Sequence, residues 1–338
     1  MKKQNLSTAL AAAIAMLVLI LDSKTALSGA TAGIDLCLRI LIPSLFPFFV
    51  LSVLMTSALY GQALPLLNPV ASVCKIPAGV SSLFAVGLLG GYPAGARNVA
   101  AMYHSGQLSK AQASRMIVFC NNAGPAFIFG ILQPMFSNPM IPWILWGVHI
   151  LSAIAVGVAL PAVPDQNPSM PAHRQIHLTD ALQGSLRAMS QVCGWVVMTR
   201  MILAFLDRWF LALLPVSMQV ALTGFLELSN GCIRLTLIES EALRFLLSAG
   251  MLALGGICVA LQTSSVTAGI PMHYYFPGKL LQCCVSVLFA GLLCPVIFPS
   301  FRFGWIPYAA FSGAGIAGCL LSLRNCKNTS RIPAVLGV

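Results

Sequence analysis

Two glycine-interrupted apolar segments carry the polar residues whose types and spacing could bind a ligand. The first reads Gly-Leu-Leu-Gly-Gly-Tyr-Pro-Ala-Gly-Ala-Arg over residues 87–97, and the second reads Gly-Phe-Leu-Glu-Leu-Ser-Asn-Gly-Cys-Ile-Arg over residues 224–234. Each is too short to cross a bilayer as one helix and too rich in glycine for an ordinary core helix. We therefore expect two re-entrant hairpins whose unwound tips meet at membrane depth and enclose a small polar solute.

Glu227 is the acidic residue that lies well inside one of these apolar segments. A carboxylate at this depth is costly unless it faces a partner or water, so it is a candidate for function. Ser229 and Asn230 follow it and add a hydroxyl and an amide that could bind the solute or a cation. The alternative is a structural ion pair of Glu227 with Arg97 or Arg234, which would tie the hairpin tip to a helix.

The first segment offers a different chemistry, because it contains no acid. Gly91, Pro93 and Gly95 allow the backbone to unwind and to expose amides that need partners. Tyr92 could stack on a planar ligand, although packing is the more common role of a single aromatic residue. We assign all four residues to the predicted binding site.

A third polar cluster interrupts an apolar segment that should span the membrane. Asn121, Asn122 and Gly124 precede Pro125, which predicts an unwound point because proline leaves a carbonyl unpaired one turn earlier. These three residues could line the solute site, or they could simply stabilise a proline kink by local hydrogen bonds. The corresponding segment of the second half contains Gln262, a weaker candidate.

Composition determines the environment in which these segments must fold. Hydrophobic residues make up 58% of the chain, charged residues only 8%, and the mean hydropathy is +0.88, so we expect an all-α polytopic membrane protein with the lipid bilayer as partner. The 19 Lys and Arg exceed the 8 Asp and Glu, but they are scattered singly between apolar runs. This distribution is typical of loops that set membrane orientation, and it predicts no nucleic-acid partner.

Motifs for catalysis or for tightly bound metals are missing from the sequence. The 11 cysteines form no C-x-x-C pair, the histidines do not cluster, and neither a Walker loop nor a G-x-S-x-G motif occurs. We expect no enzyme activity, no catalytic residue, no metal site and no resident cofactor. A coupling Na⁺ or H⁺ remains open.

Hydropathy predicts about eight spanning helices of about 20 residues each. They fall near residues 6–21, 41–60, 116–132, 141–160, 192–206, 246–268, 280–298 and 305–323, with the hairpins near 80–96 and 209–235. Threading the basic residues through these spans puts Arg115 and Lys279, among others, on the cytoplasmic side and places both termini in the cytoplasm. The first apolar run reads as an uncleaved membrane helix, because no clean signal-cleavage site follows it.

The threading divides the chain into two similar halves. After an N-terminal helix at residues 1–22, a first repeat covers 23–160, a cytoplasmic linker 161–177 and a second repeat 178–299; residues 300–338 form a last helix and a cytoplasmic tail. Because the first hairpin opens inward and the second outward, the repeats are predicted to be inverted, as in alternating-access carriers.

The same motifs resemble a known family. The runs at 90–97, 109–115 and 119–125, with Gly-Gly-Tyr-Pro and Cys-Asn-Asn-Ala-Gly-Pro at their centres, are similar to the YlbJ-type sporulation integral membrane proteins, which carry a nucleoside-recognition "Gate" domain. The resemblance covers about residues 34–299. The chain departs from the expected pattern at 256–262, where it is less polar.

This resemblance implies a role in endospore formation, through assembly of the spore cortex, and kinship with concentrative nucleoside transporters. By that analogy the cavity would be lined by residues 91–95 and by Asn121, Asn122, Glu227, Ser229 and Asn230. We therefore expect a transporter-like protein in the cytoplasmic membrane for a small, nucleoside-like polar solute. The alternative is a non-transporting scaffold that recruits sporulation or envelope proteins, and association with itself or with such proteins is open in either case.

Overall fold

The structure, a computed structural model, describes residues 2–59, 64–77, 80–163, 177–301 and 304–329. Within these ranges every regular element is a helix. Six helical stretches of the described chain are long and apolar enough to cross a membrane: Ser23–Ala58, Lys110–Met135, Ile141–Ala159, Leu178–Trp209, Glu241–Val266 and Tyr275–Ile297. The all-α polytopic membrane fold is thereby confirmed.

The predicted count of eight spans remains a prediction. The predicted first span corresponds to a shorter apolar helix, Leu6–Leu21, which lies within a helix that begins at Lys2. The predicted span 41–60 is the end of a 36-residue helical stretch, and 192–206 is part of a 32-residue helix. In both cases the helix extends beyond the predicted span into a part that carries polar residues, which a prediction from hydropathy leaves out.

In the described part of the chain, nine α-helices precede the linker between the halves. They are α1 (Lys2–Leu21), α2 (Ser23–Leu36), α3 (Ile42–Ala58), α4 (Asn68–Val73), α5 (Ser82–Gly90), α6 (Ala94–His104), α7 (Lys110–Cys120), α8 (Pro125–Phe127) and α9 (Ile141–Ala159). A π-helical turn, Cys37–Leu41, joins α2 to α3, and a second, Ile128–Leu132, continues α8.

The described chain after the linker contains seven further α-helices. They are α10 (Leu178–Trp209), α11 (Val216–Leu226), α12 (Leu228–Arg234), α13 (Glu241–Leu254), α14 (Gly256–Val266), α15 (Tyr275–Ile297) and α16 (Trp305–Thr329). Most of the predicted linker, residues 164–176, and the end of the predicted tail, 330–338, lie outside the described residues.

The two halves contain the same sequence of elements. Each begins with a long helix, continues with a pair of short helices (α5 and α6, or α11 and α12), then an interrupted helix (α7 and α8, or α13 and α14), and ends with an uninterrupted one (α9 or α15). The repeat itself and the inverted orientation of the halves, which depends on the membrane, stay predictions.

The interruptions occur where the backbone requires glycine or proline. Gly91, between α5 and α6, has φ of +76°, and Gly255, between α13 and α14, has φ of +74°; residues with a Cβ rarely adopt this region. Pro125 begins α8 after the non-helical Asn121–Gly124 stretch, where its missing N–H costs no hydrogen bond.

Each pair of short helices forms a tightly packed hairpin. A Cβ added to Gly87 in α5 would lie 1.8 Å from the carbonyl oxygen of Cys120, and one added to Gly95 in α6 would lie 2.1 Å from the same atom. In the second hairpin, a Cβ on Gly231 would lie 2.2 Å from the Cα of Gly224. The glycines are therefore needed for backbone contact, within the second hairpin and between the first hairpin and the end of α7.

Candidate functional site

The hairpin tips and the helix interruptions enclose a cavity between the two halves of the chain. The space open to the centres of water molecules is about 40 Å³. The cavity is lined by Leu45, Gly90, Gly91, Tyr92, Ala123, Gly124, Ala126, Phe127, Val192, Val196, Glu227, Leu228, Ser229, Val259 and Gln262. We call it the central cavity; most of its wall is apolar, and the polar groups are few.

Six of the predicted binding residues lie on this wall. They are Gly91, Tyr92, Gly124, Glu227, Ser229 and Gln262. The residues come from both hairpins and from both interrupted helices, so the cavity exists only when the halves are assembled. Such a position, at the interface of repeats and beside broken helices, is where carriers hold their solutes.

On one side of the cavity the backbones of two interruptions touch directly. A Cβ on Gly124 would lie 2.9 Å from the amide nitrogen of Gly91, and a Cβ on Gly91 would lie 3.1 Å from the amide nitrogen of Gly124. No side chain separates the first hairpin tip from the α7–α8 break here, because neither residue has one.

The remaining predicted residues lie close by but outside the cavity wall. Pro93 lines a neighbouring pocket of about 270 Å³ together with Arg97. Gly95 packs on the carbonyl of Cys120, and Asn121 and Asn122 are completely buried behind the α7–α8 break. These residues support the wall of the cavity without lining it.

Glu227 is the extended residue between α11 and α12, and it caps the second of these helices. Its carboxylate accepts hydrogen bonds from the amide of Ser229 at 3.0 Å and from the amide of Asn230 at 2.7 Å. The side-chain nitrogen of Asn230 donates a third bond at 2.8 Å. An acidic N-cap is stabilised by these free amides and by the helix dipole, which explains how a side chain that is only 3% exposed can be a carboxylate. Asn230 thus positions Glu227.

The arginines proposed as alternative partners of Glu227 have other partners in the structure. Arg234 forms its salt bridge with Asp207 of α10, and Arg97 donates to the carbonyl oxygen of Gly184 at 3.0 Å. None of the salt bridges in the described residues includes Glu227. The carboxylate therefore has hydrogen-bond donors but no arginine, because the arginines bind to α10 instead.

Asn121 connects three parts of the molecule. Its side-chain oxygen accepts from the amide of Ala96 in α6 at 3.2 Å, and its side-chain nitrogen donates to the hydroxyls of Thr263 in α14 at 2.8 Å and Tyr275 in α15 at 3.3 Å. Asn122 instead donates to the carbonyl of Phe119 at 2.6 Å. Asn122 therefore satisfies a carbonyl near the end of α7, as expected for a kink, and also accepts from Gln282 of α15, whereas Asn121 holds the first hairpin itself against the second half.

Lys279 is a central residue that the sequence interpretation missed. The threading treats it as a cytoplasmic charge in front of the span 280–298, but it lies inside α15 and is 1% exposed. Its amino group donates to the carbonyl oxygen of Asn121 at 2.6 Å, to the side-chain oxygen of Gln282 at 2.8 Å and to the hydroxyl of Tyr92 at 3.2 Å. The available signal was the helical spacing of Lys279, Gln282 and Ser286, all of which are buried on one face.

Arg115, another residue that the threading places on the cytoplasmic side, is also buried. It donates to the carbonyl oxygens of Cys74, Lys75, Gly157 and Pro161 at distances between 2.6 and 3.4 Å. This guanidinium fixes the middle of α7 relative to α9. Its role is to position the interrupted helix.

The oxygen atoms near the central cavity suit a polar solute or a small hard cation. The Glu227 carboxylate, the Ser229 side chain and the Gln262 amide belong to residues on its wall. Among the described residues, no three His, Cys, Asp or Glu side chains come together as metal ligands. The arrangement can therefore hold a molecule by hydrogen bonds and one negative charge, inside an apolar shell.

Comparison with known proteins adds one similarity. The chain is similar to the sporulation integral membrane protein YlbJ of Bacillus subtilis (strain 168), with 22% identity over 329 aligned positions that cover 82% of this chain and 80% of that protein. No protein-family model and no solved structure matches the chain.

Proposed function

Since this chain is a homologue of the YlbJ-type sporulation integral membrane proteins, we propose that it is a carrier-like protein that encloses a small polar solute during spore formation. The observation that supports the proposal is the central cavity, whose wall combines both hairpin tips, the α7–α8 break and α14 of the second interrupted helix. A scaffold that acts through its loops would not need polar groups where the two tips and a helix break meet.

In this proposal each polar group has a defined task. Glu227 supplies a negative charge that is already oriented by the start of α12, so it can bind a donor or a cation without rearranging. Gln262 and Ser229 add hydrogen-bonding capacity, and Tyr92 offers a ring face to a planar group. The proposal assigns no catalytic step to any of them.

The size of the cavity restricts how a solute can enter. A volume of 40 Å³ for water centres has room for about three water molecules. A nucleoside is several times larger, so a nucleoside-like solute would require the hairpin tips to separate. We propose that the halves, as inverted repeats with both termini in the cytoplasm, rock against each other to provide this space on either side in turn.

The test is the thermal stability of the full-length protein in detergent, measured across a panel of nucleosides, nucleobases and small polar metabolites. A compound that binds only the folded state stabilises it by about 2.7 kcal/mol at 100 times its Kd, and so raises the melting temperature. We expect such a compound to lose its effect in Glu227→Gln. The matched control is Glu239→Gln, which removes the same charge from an exposed position outside the cavity.

A sporulation assay completes the test. The proposal predicts that cells carrying Glu227→Gln form fewer heat-resistant spores although the variant is present in the membrane at normal amounts. Normal sporulation of Glu227→Gln, together with the lack of a stabilising compound, would contradict the carrier and favour the scaffold, whose sensitive positions would lie in the linker 161–177 and in the tail.

A further inference from the structure

The amino group of Lys279 lies in a shell of neutral oxygen atoms that resembles an alkali-metal site. We infer that this ammonium occupies, as a tethered cation, a site that would bind Na⁺ if the lysine were absent. The inference deepens the proposed function, on which it rests for one consequence only: solute movement would need no alkali ion at this position.

The first observation is that three acceptors match the three donors of the ammonium. They are the main-chain carbonyl of Asn121, the side-chain carbonyl of Gln282 and the hydroxyl of Tyr92. Two of these acceptors are on other elements: Asn121 is at the end of α7 and Tyr92 is at the first hairpin tip. The lysine therefore joins α15 to the end of α7 and to the first hairpin tip.

The second observation is that the acceptors are themselves oriented by further hydrogen bonds. The hydroxyl of Tyr92 donates to the carbonyl of Leu252 at 3.1 Å, which leaves its oxygen to accept from Lys279. The nitrogen of Gln282 donates to the side-chain oxygen of Asn122 at 2.9 Å. Because each acceptor has a fixed direction, the shell is built to hold a positive charge at one point.

The third observation is the absence of a counter-ion in the described residues. No salt bridge there includes Lys279, and its nitrogen lies over the ring of Tyr92, 5.1 Å from the centroid, and 6.0 Å from the centroid of Tyr275. Neutral oxygens and ring faces stabilise a monovalent cation without neutralising it. A carbonyl at a helix break, an amide oxygen and a hydroxyl are the oxygen ligands that Na⁺ takes in broken membrane helices.

The site also communicates with the central cavity. Tyr92 contacts Lys279 through its hydroxyl and lines the cavity as well. If the first hairpin moved away from α15, the ammonium would lose the Tyr92 acceptor. A cation at this point therefore favours the closed arrangement of the tip, and because the amino group is covalently attached, its presence does not depend on the sodium concentration.

The experiment compares melting temperatures of the detergent-purified full-length protein in NaCl and in choline chloride at equal ionic strength. We expect wild type to melt within about 1 °C in the two salts. Lys279→Ala should melt lower in choline and should recover with sodium in a saturable way, by about 5 °C at 100 times the Kd. Lys279→Met fills the same space with an apolar chain, so it should be destabilised without recovery in sodium.

Lys110→Ala is the control for loss of a positive charge, because Lys110 is exposed at the start of α7; it should show no difference between the salts. Folded Lys279→Ala that melts equally in both salts would overturn the inference, as would a saturable sodium effect on wild type. Recovery of folded Lys279→Ala in sodium but not in choline would support it, and recovery in neither salt would count against it.

These outcomes are independent of the solute experiment. The sodium response concerns the folded protein without any solute, whereas the proposed function depends on the response of wild type to the compound panel. A sodium-dependent Lys279→Ala, together with normal sporulation of Glu227→Gln and no stabilising compound, would contradict the carrier and retain the cation site. The opposite pair of results would retain the carrier and remove the cation site.

Discussion

The two hairpin tips place a charge at the centre of the molecule in opposite ways. At the second tip, the Glu227 carboxylate is bound by amides two and three residues further along the chain. At the first tip, the charge belongs to Lys279 of α15, which is separated from Tyr92 by 187 positions in the sequence. One tip is electrostatically complete by itself, and the other depends on the opposite half of the chain.

The difference shows what each tip requires in order to form. A capped helix start is stabilised by local hydrogen bonds, so the second tip can take its shape as soon as α11 and α12 pair. The first tip has free acceptors until α15 arrives, and buried polar atoms without partners are costly. We therefore infer that the first tip is the part of the site that depends most on assembly of the two halves.

The largest effect should come from adding a methyl group at a glycine where backbones are in contact, which both hairpins require. Gly87→Ala and Gly231→Ala each place a methyl group within 2.2 Å of backbone atoms, so the backbones must separate. We expect destabilisation of about 3 kcal/mol or more in both variants, seen as loss of monodisperse protein in size-exclusion chromatography. Gly147→Ala is the control, since nothing lies within 4 Å of its added Cβ. A stable Gly231→Ala would show that the second tip tolerates a wider hairpin.

A smaller effect, confined to the first tip, is expected from Asn121→Ala. The change removes the acceptor of Ala96 and the donor to Thr263 and Tyr275, so several buried groups lose a partner. We expect a loss of about 2 to 4 kcal/mol in stability, measured by thermal melting. Ser152→Ala is the matched control, because its buried hydroxyl bonds only to the carbonyl of His149 in the same helix, and it should cost about 1 kcal/mol. Equal losses in the two variants would remove the distinction between long-range and local bonding.

The smallest effect should come from the salt bridge that links the second hairpin to α10. Asp207→Asn removes the charge that Arg234 faces, and both side chains are partly exposed. We expect a loss of about 1 kcal/mol or less in thermal stability. Asp35→Asn, in the exposed pair with Arg39, is the control and should be close to neutral. A loss as large as that of Asn121→Ala would mean that the second tip depends on α10 of its own half, and not only on local hydrogen bonds.

The breaks in the helices were predictable because their causes are local. Glycine at 91, the proline at 125 and the polar residues beside them identify the first tip and the α7–α8 break, whereas the break at Gly255 lies within the predicted span 246–268. Glu227 was also predictable, since an acid inside an apolar segment has to be explained by its surroundings. The second hairpin therefore follows from about ten residues of sequence.

The partners of the charged side chains were not predictable, because they depend on how the helices pack. The sequence suggested Arg234 and Arg97 as partners of Glu227, but both bind to α10. The length of α10 was not predictable from hydropathy, because its first part carries exposed polar residues: Gln183, Arg187 and Gln191. Lys279 was misplaced for a related reason: a boundary set by hydropathy puts any lysine outside the span. Only the three-dimensional contacts with Asn121 and Tyr92 reveal its position.

The contact between Gly91 and Gly124 has a mechanical consequence. Packed helices normally interlock through side chains, which must leave their grooves before one helix can slide past another. Where backbone touches backbone across two glycines, there are no ridges to disengage, so the surface is smooth in the direction of the chain. A movement of the first tip along the α7–α8 break would therefore not require any side chain to leave a groove at this contact.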